Sequence, residues 1–308
     1  MSSALVDSSR IQRLLDRVSG LDQPGGDRRL KQILRRVAAD LYTVIDEFDV
    51  TPEEFWAALG FFQNGSREFG LMAPGLGFDH FLDIREDCAD QASGRPSGTP
   101  RTIEGPLYVP GAPLSKGFAR IDDGTDQGDT LIMHGTVRDG QGKPLPGAIV
   151  DVWQCNTKGG YSHFDPSQAP YNNRRRIEAD AEGAYKFRGI VPAGYGVPPA
   201  GATERLLAAV GRHGRRPAHI HFFISAPGFR HLTTQINIAG DPHLHDDFAY
   251  ATRNELIPTV TRRGDDLALR REGLSAPFQE IEFDFILTPA LHPAEASLSV
   301  RPRAAAPE

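Results

Sequence analysis

The amino-acid sequence predicts a mainly β protein with an α-helical N-terminal domain. Over about the first 85 residues, apolar side chains recur with the period of a helix. Beyond a Gly/Ser/Pro-rich stretch at residues 92–101 they alternate with a period of two, and most of the 32 glycines and 24 prolines follow residue 90. Short strands separated by many turn residues are typical of an antiparallel β-sandwich or barrel, so one of these architectures is expected for the second part of the chain.

The helical part contains four predicted segments. Apolar residues spaced by three and four predict helices over residues 11–18 and 30–45, and Asp27 precedes the second of these as an N-cap. Residues 51–54 (Thr-Pro-Glu-Glu) form a capping box with proline at the first helical position, which predicts the start of a third helix. A shorter fourth helix is predicted over residues 78–84.

The strands are predicted from apolar runs and from the turn residues between them. They cover residues 131–137 and 148–153, a segment containing Tyr185 and Phe187, and residues 220–224, 233–238 and 281–285. The last segment, residues 289–308, is rich in Ala and Pro and is expected to be loosely ordered.

Composition restricts the function classes. The chain has 308 residues and a net charge of −6, with scattered Lys and Arg, which argues against nucleic-acid binding. Two distant cysteines, Cys88 and Cys155, do not make a disulfide scaffold, and a reducing cytoplasm is the simpler expectation. The first ten residues show no signal peptide, and no apolar run of about 18 residues could span a membrane. The sequence has no P-loop, Rossmann, GxSxG or CxxC motif.

Two pairs of histidines have the H-x-H spacing of candidate metal ligands. His219 and His221 lead into an apolar, strand-like run, and alternate residues of a strand face the same side, so both imidazoles should project together. Two half-buried histidines bonded to their neighbours would have the same spacing. His243 and His245 lie among Asp and Pro residues, where a solvated loop is favoured over a divalent metal site.

Two tyrosines are flanked by glycines, which suits a phenol that enters a pocket better than one that packs in a core. Tyr161 follows Gly159-Gly160, and Tyr195 lies between two glycines. Phenolate is a hard anionic ligand that matches Fe(III) better than Zn(II), although each tyrosine could also be a hydrogen-bonded packing residue. Arg216 precedes His219 by three residues and could stabilise an anionic substrate or form a structural salt bridge.

Nine short segments along the chain match the motifs of one known family. They are Ile103 to Tyr108 (IEGPLY), Pro146 to Ala148, Asp151 to Trp153, Gly160 to Ser162, Arg174 to Arg176, Gly194 to Gly196, Arg216 to His221 (RPAHIH), Ile224 to Gly228 and His231 to Asn237. Together they resemble the intradiol dioxygenases over nearly the whole chain outside the tail. The set is specific, although no single motif is.

The resemblance implies an antiparallel β-sandwich catalytic core and a helical domain that forms a homodimer interface, often with a bound phospholipid. It predicts a helical dimerisation and linker domain at residues 1–104, an Fe(III) catalytic domain at 105–288 and a loosely ordered tail at 289–308.

The resemblance also implies the site residues. One non-haem Fe(III) per chain would be held by Tyr161, Tyr195, His219 and His221. Arg216 and Gln235 would stabilise negative charge during the reaction, and Tyr195 would also accept a substrate proton. The apolar pocket wall would consist of Leu71, Pro74, Ile103, Pro106, Leu107, Phe248 and Ala249.

The expected activity is cleavage of catechol by O2 between its hydroxyl-bearing carbons, giving cis,cis-muconate in aromatic catabolism through the β-ketoadipate pathway. Leu71 and Pro74 resemble the catechol type, whereas an acidic residue in place of Pro74 would indicate hydroxyquinol. Hydroxyquinol and chlorocatechol stay open as substrates, and Ala193 and Val197 depart from common family residues beside the site. A non-catalytic ligand-binding β-sandwich and a zinc hydrolase are alternatives of other classes, and both predict a protein without phenolate-to-iron colour.

Overall fold

The structure, a computed structural model, describes residues 5–298 and contains two compact units, residues 1–66 and 67–308. The first unit is helical, and the second holds the strands of the described residues. The predicted functional division at residues 104/105 and 288/289 stays a prediction. In the predicted loose tail, Pro293–Ala296 forms a 3-10 helix, and residues 299–308 lie outside the described residues.

The first unit contains α1 (Ser9–Val18), α2 (Arg28–Glu47) and α3 (Pro52–Gly65). Both predicted caps are confirmed. The Asp27 carboxylate accepts a hydrogen bond from the Leu30 amide at 3.0 Å. Thr51 and Glu54 exchange the reciprocal bonds of a capping box, at 2.9 and 3.3 Å, so two amides at the start of α3 gain partners.

Among its described residues, the second unit begins with two α-helices and continues with thirteen strands and two further α-helices. The helices are α4 (Phe69–Gly75), α5 (Phe78–Ala92), α6 (Ala202–Ala209) and α7 (Asp266–Glu272). The strands are β1 (Leu114–Lys116), β2 (Phe118–Arg120), β3 (Thr130–Asp139), β4 (Ile149–Trp153), β5 (Arg174–Glu178), β6 (Ala184–Ile190), β7 (Tyr195–Gly196), β8 (Arg215–Arg216), β9 (His219–Ser225), β10 (Leu232–Asn237), β11 (Thr261–Arg263), β12 (Phe278–Glu282) and β13 (Phe285–Leu287).

The described strands form two larger sheets and one small ribbon, in which β7 pairs with β8. One sheet has the order β1-β5-β4-β9-β10, the other β11-β12-β3-β6-β2, with β13 also paired to β3. The long ladders β3–β6, β4–β5, β4–β9 and β9–β10 are antiparallel, while β1, β2, β12 and β13 add parallel pairs. Fully buried side chains from both sheets, including Val152, Phe187 and Phe222, form one core. The predicted β-sandwich with an N-terminal helical part is therefore confirmed.

Two of the predicted elements have clearly different bounds in the structure. The fourth predicted helix, residues 78–84, continues to Ala92 as α5. The single strand predicted over residues 281–285 is interrupted between β12 and β13. The Asp284 carboxylate accepts the Thr136 amide at 2.7 Å, so a side chain replaces the backbone acceptor at this point of the ladder.

None of the helices within residues 5–298 is long and apolar enough to cross a membrane.

Candidate metal centre and substrate pocket

Strand alternation brings the chemically active residues of β9 and β10 to one face of the sheet. Ile220 and Phe222 point into the sandwich core, so His219 and His221 face the opposite side. Gln235 lies directly across from His221 in the antiparallel ladder, and directly opposed residues share a face. The histidine pair predicted from its spacing therefore projects together.

Trp153, on the neighbouring strand β4, packs against the imidazole of His221. Residue 153 of β4 pairs with His221 of β9, and the two rings are stacked with centroids 4.9 Å apart and an interplanar angle of 5°. A flat stack against a buried indole restricts rotation of the imidazole, which fixes the direction of its ring nitrogens.

The two tyrosines lie close to each other and to the histidine pair, although one belongs to a loop and the other to the small ribbon. Tyr161 lies in the loop between β4 and β5, and Tyr195 in β7, where the ladder sets it opposite Arg216. The ring centroids of the two tyrosines are 5.6 Å apart, and those of Tyr195 and His219 are 5.4 Å apart. Gly159 permits this approach, because a Cβ built there would lie 2.7 Å from the Tyr195 Cβ.

The two imidazoles are neutral and aim at each other. His219 Nδ1 lies 2.6 Å from the Pro217 carbonyl oxygen and donates to it, which leaves a lone pair on Nε2. That atom is 3.0 Å from His221 Nε2, and the ring planes meet at 86°. Burial, reinforced by Arg216, lowers the pKa of His219 to about 3, and burial next to His219 lowers the pKa of His221 well below its usual value.

This arrangement fits a cation better than it fits a hydrogen bond. If His221 carries its proton on Nδ1, two lone pairs face each other. If the proton is on Nε2, the lone pair of Nδ1 is left alone, and Nδ1 is buried with no hydrogen-bond partner. A metal ion that accepts both Nε2 lone pairs removes the conflict.

The phenols supply the anionic half of the donor set. The hydroxyl of Tyr161 is buried and has no hydrogen-bond partner. Burial, with Tyr195 nearby, raises its pKa well above the usual value, and burial also raises the pKa of Tyr195 against the opposing effect of Arg216. Such phenols ionise only beside a strong cation. Two phenolate oxygens and two imidazole nitrogens match a hard trivalent ion, so these residues fit the non-haem Fe(III) predicted for this site.

A three-ligand zinc site of the usual kind has no counterpart here. Within the part of the chain that the structure describes, no three His, Cys, Asp or Glu side chains lie together in a way that could hold a metal ion. The donors beside the two imidazoles are phenols.

Comparison with known proteins identifies the family of this chain. Residues 103–289 match the family model described as "Dioxygenase", and residues 27–94 match "Catechol dioxygenase N terminus". The chain belongs to the intradiol dioxygenase family.

The relatives match over the full length of the chain. It is 52% identical to the catechol 1,2-dioxygenase of Pseudomonas sp. (strain EST1001), over 98% of this chain and 100% of that protein. It is 50% identical to that of Acinetobacter baylyi, over 99% and 100%. The crystal structure of catechol 1,2-dioxygenase from Pseudomonas arvilla C-1 superposes with a TM-score of 0.93 at 50% identity, covering 98% of this chain and 99% of that one. A hydroxyquinol 1,2-dioxygenase from Nocardioides simplex is more distant, at 30% identity.

A ring-sized, mostly apolar cavity lies beside the two tyrosines. A cavity of about 220 Å³ is lined by Tyr161, Tyr195 and Arg216. The seven residues predicted for the pocket wall all lie on it, namely Leu71, Pro74, Ile103, Pro106, Leu107, Phe248 and Ala249. Val197, which departs from the family pattern, also lines the cavity, whereas Ala193 is not among its lining residues.

Arg216 joins the cavity to the predicted metal ligands. Its Nη1 lies 3.0 Å from His219 Nε2, and its Nη2 donates to Gln235 Oε1 at 2.8 Å. Gln235 is fully buried behind the guanidinium and does not line the cavity, so it contacts Arg216 rather than the space for a substrate. His243 and His245 lie in the turn-rich loop after β10 and do not line the cavity.

Sequence reasoning missed several residues of the site. Phe164 and Asp165 line the cavity from the loop that follows Tyr161. Asp247 pairs with Arg216. Arg174 lies in a run of three arginines, a pattern typical of a solvated or ion-paired surface, yet it is buried, and its guanidinium lies over the Tyr161 ring at 5.7 Å. The need of buried guanidinium groups for partners could have indicated the last two, but the sequence shows no such burial.

Proposed function

We propose that this chain cleaves catechol between its two hydroxyl-bearing carbons and incorporates both atoms of O2, giving cis,cis-muconate. The observation that carries the proposal is the convergence of two phenols and two imidazoles beside one apolar cavity. Full-length similarity to catechol 1,2-dioxygenases at 50–52% identity supports it.

The proposed iron ligands are Tyr161, Tyr195, His219 and His221. Bound Fe(III) would supply the Lewis acidity that activates the substrate oxygens. The stack on Trp153 and the bond to Pro217 orient the two imidazoles toward it. Ligand positions held in this way lower the cost of ordering the site around the ion.

The chain's own groups account for substrate binding and proton transfer. The apolar walls enclose the ring and exclude water, which strengthens electrostatic interactions inside the cavity. Tyr195 is the more exposed of the two phenols and lies beside Arg216, so it is the one placed to accept a catechol proton. The Arg216 guanidinium, held by Gln235, would stabilise negative charge that develops on the substrate.

We infer that catechol is preferred over hydroxyquinol and chlorocatechols because the cavity wall near the ring is apolar. Leu71 and Pro74 give the ring two apolar neighbours and offer no partner for a third hydroxyl. Hydroxyquinol and chlorocatechols are the alternatives. Initial rates on catechol, hydroxyquinol and a chlorocatechol, compared as kcat/KM, would decide among them. A higher value for either alternative would refute the substrate assignment and leave the reaction type intact.

We also infer a homodimer formed through the helical unit. No residue of α2 is buried, and its apolar residues are exposed, with Leu30 at 62% and Leu41 at 58%. An apolar stripe of this length is unfavourable in water and is typical of an interface. Leu41→Glu should produce monomers in sedimentation experiments, whereas an exposed polar control on the same helix, Arg29→Glu, should not.

A bound phospholipid is proposed within the same unit. A cavity of about 840 Å³ has Arg35 and Arg36 on its wall together with apolar residues such as Leu21 and Val44, which suits an anionic head group and acyl chains. Mass spectrometry of an organic extract of the purified protein tests this. The free thiols of Cys88, which is exposed, and Cys155 support the further proposal of a cytoplasmic location.

The most direct test of the function is the visible spectrum of the iron-loaded protein. Phenolate-to-Fe(III) charge transfer should give a wine-red colour, and anaerobic catechol should shift the band. A colourless protein that retains stoichiometric iron would refute the ligand assignment. A coloured protein without O2-dependent formation of muconate would refute the reaction.

A further inference from the structure

We propose that Asp247 is a positioning residue for Arg216, which it locks in the orientation that presents one edge of the guanidinium to the substrate cavity. This inference rests on the proposed function and adds a residue to it. Asp247 lies in the loop after β10, directly before the cavity residues Phe248 and Ala249.

The contact between the two side chains is bidentate and buried. Arg216 Nε donates to Asp247 Oδ1 at 3.2 Å, and Nη2 donates to Oδ2 at 3.1 Å. The side chains are 4% and 1% exposed. A fork-to-fork pair of this kind fixes the plane of the guanidinium as well as its position.

The hydrogen-bond partners of the Arg216 N–H groups show which edge of the guanidinium can contact a substrate. Of its five N–H groups, Asp247 takes two and Gln235 takes one from Nη2. Only Nη1 is not committed to these partners, and it faces His219 Nε2 at 3.0 Å. When that lone pair is used by a metal ion, an Nη1 hydrogen becomes available to a substrate oxygen, next to the Tyr195 hydroxyl that also interacts with the guanidinium.

Asp247 is itself held in place from the cavity wall. Its Oδ1 accepts the backbone amide of Ala249 at 3.1 Å. Burial alone would raise the pKa of Asp247, but the charge and hydrogen bonds of Arg216 outweigh it, so the pKa is lowered and the carboxylate stays ionised. The pocket wall and the guanidinium are thus positioned by the same carboxylate.

The test compares Asp247→Asn with a matched control in the iron-loaded protein. The amide keeps the shape and the Oδ1 acceptor but turns an N–H toward the Nη2 donor, which forces the guanidinium to move. A displacement of about 1 Å is expected to lower kcat/KM per bound iron about 100-fold. Asp246→Asn removes the same charge one residue earlier, from a side chain that is 79% exposed and pairs with His213, and should leave kcat/KM unchanged.

Two readouts separate positioning from a structural role. A purely structural Asp247 predicts a lower melting temperature but wild-type kcat/KM per iron in the folded fraction, and that result would overturn the proposal. The second readout is a double-mutant cycle that combines Asp247→Asn with Arg216→Gln. If Asp247 acts through Arg216, adding Asp247→Asn to Arg216→Gln changes kcat/KM little, whereas fully additive losses would overturn the proposal.

Asp247→Glu keeps the experiment decisive if the asparagine variant does not fold. Its longer arm preserves the charge pair but displaces the guanidinium, so a loss of about 10-fold or more in kcat/KM per iron is expected, against no loss if only the charge matters. Failure of the proposed function would appear in the wild type, as absent colour or absent muconate. Failure of this inference alone would leave wild type and Arg216→Gln as expected while the Asp247 variants stay fully active.

Discussion

Asp83 on α5 should make the stability of the protein depend on pH. Its carboxylate is largely buried, and burial raises its pKa from 3.8 to about 7, although Arg253 at 3.6 Å acts in the opposite direction. The folded state therefore holds this proton between the two values while the unfolded state has released it. The stabilisation is fully present below the unfolded pKa and is lost as pH rises through about 7.

The size of the effect follows from the two pKa values. At about 1.4 kcal/mol per pH unit, the range from about pH 5 to about pH 7 corresponds to a loss of roughly 3 kcal/mol. Local relaxation and water penetration reduce such values, so about 1–2 kcal/mol is expected. Asp83→Asn keeps the shape but cannot ionise. Its free energy of unfolding relative to wild type should therefore rise by that amount between about pH 5 and pH 8.5.

Denaturant unfolding of both proteins at the two pH values measures this difference, and the comparison at each pH cancels contributions that the two proteins share. Gln91→Ala is the control, because it changes an exposed, uncharged side chain of the same helix. Its difference from wild type should stay constant with pH. If the Asp83→Asn difference is equally constant, burial does not control the ionisation of this carboxylate and the reasoning is refuted.

Three further predictions concern the metal centre and the sheet. Tyr161→Phe should lose most bound iron and the visible colour, measured by metal analysis and absorption, and full iron content would contradict its role as a ligand. Trp153→Leu should weaken iron binding about 10–100-fold because the stacked imidazole is freed, whereas Trp153→Phe should retain most of the affinity. Gly135→Ala should cost about 3 kcal/mol or more in unfolding free energy, because its Cβ would overlap the Phe283 carbonyl oxygen. Gly140→Ala, whose Cβ meets nothing nearer than 4.0 Å, should unfold like wild type.

Much of the fold is local and could be read from the sequence. Helix starts depend on residues a few positions apart, which is why the Asp27 cap and the Thr51 capping box were predicted correctly. Strands were found where apolar residues alternate. The interruption between β12 and β13 was not predicted, because it depends on a hydrogen bond from an amide of a strand almost 150 residues away in the chain to Asp284.

The short and charged strands also escaped sequence reasoning. Arg174 to Arg176 resemble a solvated charge run, yet they form β5, and Arg174 is buried with its guanidinium bonded to Ser162 and Leu107. Their pattern contains no apolar alternation, so only the packing of neighbouring strands reveals the element.

The sequence alone defines which chemical groups can form the site. The His219-x-His221 spacing requires two imidazoles on one face of any strand, and the glycines around the tyrosines permit close approach of a phenol. The tertiary structure decided which of these groups meet and what surrounds them. Convergence of donors, burial of Arg216 and its pairing with Asp247 depend on contacts between distant segments, and desolvation, which sets the ionisation of each group, exists only after the chain has folded.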